Sequence, residues 1–424
     1  MNDSPSCCGS LLAGMAEPTL HRLANGSEVI SLVLDEAPLI CLDFWARAGS
    51  AYERHDESGL AHFLEHMIFK GSEHLEAGEF DRRIEALGGT SNAATGFDDV
   101  HYHVLIPTEA AAEALSLLLD LVLRPRLEPE AFTLERQVVL EELAQSEDQP
   151  EEVALQSLLS LACPQHPYGL PILGRREALL AHDPAAMADY HRRHYGADRC
   201  VLGLSGAPAA QQLLEALETS ALASLGPAGP SPAPQPLSLR AGIQRIALPR
   251  LEAARLLMAW WQPPAADLDQ VMGADLATSL LAEGRRSRLV ARLREDLQLV
   301  ESIDLDLHVM ECGSLALLEA VCEADDLPRV RREVTDIWSA AIEQPWSQQE
   351  WRRVKTLVGN AYRFGLESAA STAALIGNSH LWRRPFALDA PLRAMEHWDP
   401  ERLRREALAS LDPARACVLE VVPA

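Results

Sequence analysis

The stretch LGPAGPSPAPQPLSLRAG, residues 225–242, limits the fold more than any other segment. Its five prolines and three glycines deny the backbone both a helical ladder and a strand ladder, and favour an extended connector. It falls close to the middle of a 424-residue chain, which is longer than one hydrophobic core readily serves. The sequence therefore predicts a tail over residues 1–17, one domain over 18–224, the connector over 225–242, and a second domain over 243–424.

The order of patterns recurs across the connector. Before it, strand-like runs such as EVISLVL and LICLDFWARAG alternate with helical periods such as EAAAEALSLLLDLVL. After it, ARLLMAWWQPP repeats the strand and MGADLATSLLAEG takes the place of the earlier helix GLAHFLEHMIFKG, without its histidines. This repetition implies a duplicated α+β unit whose second copy carries no metal chemistry.

Charge and cysteine usage narrow the function classes. With 37 basic against 62 acidic residues the formal net charge is −25, and no basic stripe is present, which argues against nucleic-acid binding. The eight cysteines include no CxxC pair, so neither a disulfide framework nor a thiolate zinc site is expected. The opening residues MNDSPSCCGSLLAGMAEP place no Lys or Arg ahead of their short apolar run, unlike a secretory signal. A disordered tail and a cytoplasmic setting follow as expectations, and no stretch reaches the length of a membrane span.

Within GLAHFLEHMIFKG, an advance of 100° per residue gathers Leu60, Phe63, Leu64, Met67 and Ile68 on one side and His62, Glu65 and His66 on the other. Ser58 is the expected N-cap and Gly71 the stop, giving about three turns. His62 and His66 stand one turn apart, a spacing that lets two imidazoles grip one ion. The competing reading is the solvated face of an amphipathic helix, and the helix alone does not separate the two. A second helix does. In EPEAFTLERQVVLEELAQ, Pro129 opens the first turn, and Glu135 and Glu142 lie almost superimposed on a face shared with Ala131, Val138 and Val139. Ionised carboxylates avoid such a stripe unless a cation or strong donors compensate. The helical wheel thus selects Glu142 over Glu141 as a ligand, with Glu135 as its partner in support.

The segments GSAYERHDESGLAHFLEHMIFKG, LGGTSNAATGFDDVHYHVLIP, LERQVVLEELAQSEDQP and HPYGLPILG, in this order, resemble the inverted-zincin metallopeptidases of the pitrilysin and mitochondrial-processing-peptidase family. In that family the two histidines of H-x-x-E-H and a glutamate about 76 residues after the second histidine bind zinc, and Glu142 stands at that interval from His66. The resemblance implies one Zn²⁺ per chain held by His62, His66 and Glu142, with Glu65 as catalytic base and Glu135 as supporting acid. It further implies that Asn92 and Ala93 meet an extended peptide substrate. The implied fold is α+β, with two duplicated half-shell domains, each a mainly antiparallel sheet with helices packed on one face. The implied activity is that of a zinc endopeptidase acting on extended peptides or small unfolded polypeptides.

One segment departs from the family. SRLVARLREDLQLVESI resembles the part that supplies a substrate-binding arginine and, seven residues on, a tyrosine. Arg294 stands at the arginine and Glu301 where the tyrosine is expected. An ionised glutamate donates no hydrogen bond to an oxyanion, and its charge opposes the one developing there. The resemblance therefore implies a heterodimer in which a metal-free homologous subunit supplies the missing pair. Tyr362 and Arg363, adjacent on a helix, face different ways and do not replace it. His101 and His103 alternate on one strand face, but no carboxylate nearby in sequence completes a second site. HRRHY, residues 191–195, reads as a helix end.

Overall fold

The strand VHYHVLIP shows how the alternation in the sequence becomes layers. Val100, Tyr102, Val104 and Ile106 are buried and their neighbours His101, His103 and Leu105 are half-buried, as a period of two demands. The computed structural model of the chain describes residues 17–35, 37–207, 210–230 and 235–424. Apart from Glu17, the expected N-terminal tail lies outside the described residues, as do Cys7 and Cys8.

The first half of the chain forms β1 (Thr19–Arg22), β2 (Glu28–Val33), β3 (Leu39–Ala46), α1 (Leu60–Ile68), α2 (Glu79–Ala86), β4 (Thr90–Thr95) and β5 (Val100–Pro107). It continues with α3 (Ala111–Leu123), α4 (Pro129–Glu147), α5 (Pro150–Ala162), α6 (Arg176–Ala181), α7 (Pro184–His194), β6 (Cys200–Gly206) and α8 (Ala210–Leu217). After the connector come β7 (Gly242–Leu248), β8 (Ala254–Gln262), α9 (Leu268–Ala282), β9 (Ser302–His308) and β10 (Ser314–Cys322). Then follow α10 (Leu327–Glu343), α11 (Gln348–Phe364), α12 (Ala369–Leu381) and β11 (Cys417–Pro423).

The duplication is visible in the sheets. The first runs β1-β2-β6-β3-β5-β4 and the second β7-β11-β8-β10-β9. If β1 is set aside, each sheet begins with one parallel pair, β2 with β6 and β7 with β11, and every other pair is antiparallel. Helix α9 occupies, between β8 and β9, the place that α1 holds between β3 and β4. The architecture is α+β in two homologous halves.

The compact units do not follow a single cut at the connector. One comprises Met1–Val139, Ile172–Pro232 and Tyr362–Arg393, and the other Leu140–Pro171, Ala233–Ala361 and Ala394–Ala424. The boundary near Val139 passes through the continuous helix α4. In the first unit α12, from late in the chain, packs on β2, β3 and β6. In the second unit α5, from early in the chain, packs on β8 and β11.

Helix α12 also modifies the expectation that helices cover one face of each sheet. It joins Ile30, Leu32, Trp45 and Val201 in one apolar cluster, and Trp45 stacks on His101. The opposite face carries Tyr102, whose hydroxyl hydrogen-bonds that of Tyr195 beyond α7. The first sheet thus has helices on both faces, and β3 is buried along almost its whole length, which explains its near-continuous apolar sequence. Contact with α12 is close. A Cβ on Gly377 would lie 2.7 Å from the Trp45 ring, so Gly377→Val is expected to destabilise the protein by about 1–3 kcal/mol. Urea denaturation would register this as a lower midpoint with an unchanged slope; an unaltered midpoint would refute the packing argument.

Candidate metal centre

At nine residues, α1 is too short to persist on its own in water. What holds it is burial: Leu60, Phe63, Leu64, Met67 and Ile68 are fully buried, each contributing about 1.5–3 kcal/mol. The opposite side carries His62, Glu65 and His66, as the helical period requires. The expected cap is corrected, because Gly59 and not Ser58 sits at the N-cap, in the left-handed conformation with φ of 85°. The Glu53 carboxyl accepts hydrogen bonds from the backbone N–H of Gly59 at 3.0 Å and of Ala61 at 2.8 Å. Burial pushes Glu53 up to about 8, against the pull of those donors. Gly59 is also required sterically, since a Cβ there would lie 2.7 Å from the Leu173 carbonyl oxygen and 2.8 Å from Gly174 Cα. The last glycine of HPYGLPILG therefore closes against the start of α1.

Helix α4 lies against α1, with the Phe63 and Phe132 ring centroids 4.6 Å apart. Glu135 is 7% exposed. Its carboxylate meets His66 Nδ1 at 2.9 Å and accepts from Lys70 Nζ at 2.7 Å. If Nδ1 donates to Glu135, Nε2 of His66 keeps its lone pair for a metal. Two turns along α4, Glu142 joins His62 and His66 in a group whose ligand atoms all lie within 4.8 Å of one another. Glu141 is exposed. The expected stripe around these acids needs one correction: Val138 is 46% exposed, whereas Phe132, Val139 and Leu143 are buried. The stripe turns by one residue because the α1 contact is centred on Phe132.

Glu65 accepts a hydrogen bond from Thr95 Oγ1, at the end of β4. Strand β4 is the edge of its sheet, paired with β5 alone, and it packs against α1. Asn92 is exposed on this edge, and its Oδ1 accepts from the Ala93 N–H at 2.9 Å. Arg294 and Glu301 lie in the second unit. Arg294 pairs with Glu295 at 2.8 Å from a π-helical turn over Val290–Asp296. The exposed Glu301 gives its N–H to the Val321 carbonyl.

Neutral imidazoles suit metal binding, and the fold supplies one. Burial, with the charge of His66 next, holds His62 down to about 4. HRRHY closes α7 as expected, with Arg192 and Arg193 both paired to Asp189. His191 Nε2 donates to the Val122 carbonyl at 2.9 Å, and burial brings the ring to about 4 and His194 to about 3.

Residues 36–176 match the family described as insulinase, peptidase family M16, and residues 183–358 match the peptidase M16 inactive domain. The chain belongs to the M16 peptidase family. A zinc protease from Rickettsia felis is 24% identical over 369 residues, spanning 85% of this chain and 87% of that one. The probable beta subunit of mitochondrial-processing peptidase from Arabidopsis thaliana is 31% identical over 199 residues, 47% of this chain and 38% of its own length. Among solved structures, a protease from Helicobacter pylori superposes with a TM-score of 0.90 at 22% identity, over 96% of this chain and 100% of that one. Among the described residues no helix is long and apolar enough to cross a membrane.

Two predictions follow from the burial of α1 and of these rings. Gly59→Ala should fray the start of α1, seen as a lower melting temperature; an unchanged value would refute it. The folded-state values of His62, His191 and His194 lie below the unfolded value of about 6.5, so the unfolded chain binds protons first as pH falls. Their contribution is complete above about pH 6.5 and is lost as pH falls to about 4 for His62 and His191 and to about 3 for His194. Chelator-treated protein should therefore lose stability steadily through this window in urea titrations, and a flat profile would contradict the assignment.

Proposed function

We propose that this chain is a zinc-dependent endopeptidase acting on extended peptides or small unfolded polypeptides, and that it is the zinc-bearing subunit of a heterodimer. The observation that carries the reading is the convergence of His62 and His66 from α1 with Glu142 from α4. Two imidazoles and one carboxylate match the donor set of a catalytic zinc, which leaves a fourth position open. The residues fit the ion, since His62 is held neutral and His66 is oriented by a buried carboxylate. When bound, zinc supplies Lewis acidity to a carbonyl oxygen and acidifies water.

The remaining work falls to side chains of the chain itself. Glu65 is the base that takes a proton from the attacking water and returns it to the leaving amine, a role that contributes about 10²- to 10⁴-fold. Thr95 fixes its carboxylate by a hydrogen bond. Glu135 keeps the His66 ring in place and neutralises Lys70. The free edge of β4, with Asn92 and Ala93, offers main-chain groups to an extended peptide.

Glu301 favours the heterodimer. It occupies the sequence position at which the family resemblance expects a tyrosine donor, and Arg294 is engaged with Glu295, so the reading assigns that pair to a metal-free homologous subunit. The name of the Arabidopsis relative, a beta subunit, agrees with a multi-subunit enzyme. The same glutamate also favours a second reading, a non-catalytic subunit that keeps its metal site. The expected cytoplasmic location belongs to the proposal too, and it agrees with the free thiols of Cys41, Cys163, Cys200, Cys322 and Cys417.

Peptide cleavage and zinc content of wild type and Glu65→Gln, each with and without the metal-free homologue, test both readings. The expectation is that Glu65→Gln keeps its zinc and loses at least about 100-fold in cleavage rate, and that the homologue raises wild-type activity. Cleavage by Glu65→Gln at the wild-type rate would remove Glu65 as base. Full activity of the chain alone would remove the heterodimer, and stoichiometric zinc without turnover in any mixture would establish the second reading.

A further inference from the structure

A second group of metal-type side chains lies on the other face of the first sheet. His101 and His103 are i and i+2 on β5 and therefore share one face. Their rings stack at 5.5 Å between centroids, with an interplanar angle of 17°. The carboxylate that is missing nearby in sequence arrives from the neighbouring strand. In the antiparallel register of β3 with β5, Asp43 lies directly opposite His103. Its Oδ1 is 3.0 Å from His101 Nδ1. The ligand atoms of Asp43, His101 and His103 all lie within 4.8 Å of one another.

We propose that Asp43, His101 and His103 form a second divalent transition-metal site, distinct from the His62, His66 and Glu142 group. Four features of the structure support it. The donor set, two imidazoles and one carboxylate, is the borderline type that zinc and its first-row neighbours select. All three residues stand on paired central strands and not on loops, so their spacing is held by the sheet. Among the described residues, His103 Nδ1 is buried without a hydrogen-bond partner, an arrangement that costs free energy unless a ligand is bound. Asp43 is 1% exposed, and a carboxylate so deeply placed with two imidazoles gains from a cation. In tetrahedral coordination at about 2.0–2.1 Å, ligand atoms stand about 3.3 Å apart, so modest side-chain rotation closes the site. The Trp45 indole, 4.2 Å from the His101 ring centroid and nearly parallel to it, limits how that ring turns. Gly377 of α12 packs on the Cδ1–Nε1 edge of the same indole, so a metal here would stiffen the contact between sheet and helix.

The alternative is a plain structural ion pair between Asp43 and His101, and metal counting separates the two. The first site is disabled with the double substitution His62→Ala and His66→Ala, and the full-length protein is titrated with Co²⁺ while its visible absorption is followed. One equivalent should remain bound, with the intensity of a four- or five-coordinate ion, against two in wild type. Adding His103→Ala should abolish it. Because that change could disturb the sheet, Asp43→Asn serves as the second variant. It keeps the shape and the hydrogen bond to His101 but should weaken Co²⁺ binding at least tenfold. Circular dichroism reports that each variant is folded. No bound Co²⁺ in the folded double variant, or binding unaffected by both His103→Ala and Asp43→Asn, would overturn the proposal. Neither result depends on whether the chain cleaves peptides.

Discussion

The Glu135 carboxylate ties α1 to α4, and the rest of the candidate centre depends on that tie. A carboxylate with so little exposure is costly by itself. Here it receives the Lys70 ammonium on one oxygen and the His66 ring on the other, while the Phe63 and Phe132 rings pack between the same two helices. The same contact thus fixes the distance between the helices and the orientation of an imidazole. Because α4 is one uninterrupted helix, placing Glu135 also places Glu142 two turns further on.

How legible this was in the sequence depends on the range of each interaction. The two sides of α1 follow from helical periodicity alone, and so does the choice of Glu142 over Glu141, because both arguments use neighbours within one helix. The cap of α1 did not follow, since its acceptor is the Glu53 side chain from an irregular turn and Ser58 had the more conventional side chain. The exposed Val138 was misplaced for a related reason. A helical wheel gives angles but not the direction of the partner, which Phe63 decides. Asp43 was hidden most completely, because its place opposite His103 exists only once β3 and β5 are in register.

The duplicated halves illustrate the same division. Matching strand order and the place of α9 were readable from recurring patterns on either side of the connector. The exchange of α5 and α12 was not, because the amphipathic pattern of a helix says that it packs and not on which sheet. Gly203 and Gly377 mark the contact afterwards: a Cβ on Gly203 would come within 2.9 Å of the Ala373 carbonyl oxygen. The second copy retains the sheet and the helix position but no histidine in α9, so the scaffold recurs in this chain without the histidine pair.

The late origin of α12 bears on biosynthesis. Ile30, Leu32, Trp45 and Val201 need Ile376 and Leu381 as neighbours, so that face of the first sheet stays without α12 until residues 369–381 have left the ribosome. Closing so long a loop adds little entropy beyond that of a shorter one, but the waiting time is set by translation, at about 5–20 residues per second. Through that interval the nascent chain displays the kind of surface that holdase chaperones bind, and maturation of the amino-terminal layer is coupled to completion of the carboxyl-terminal one.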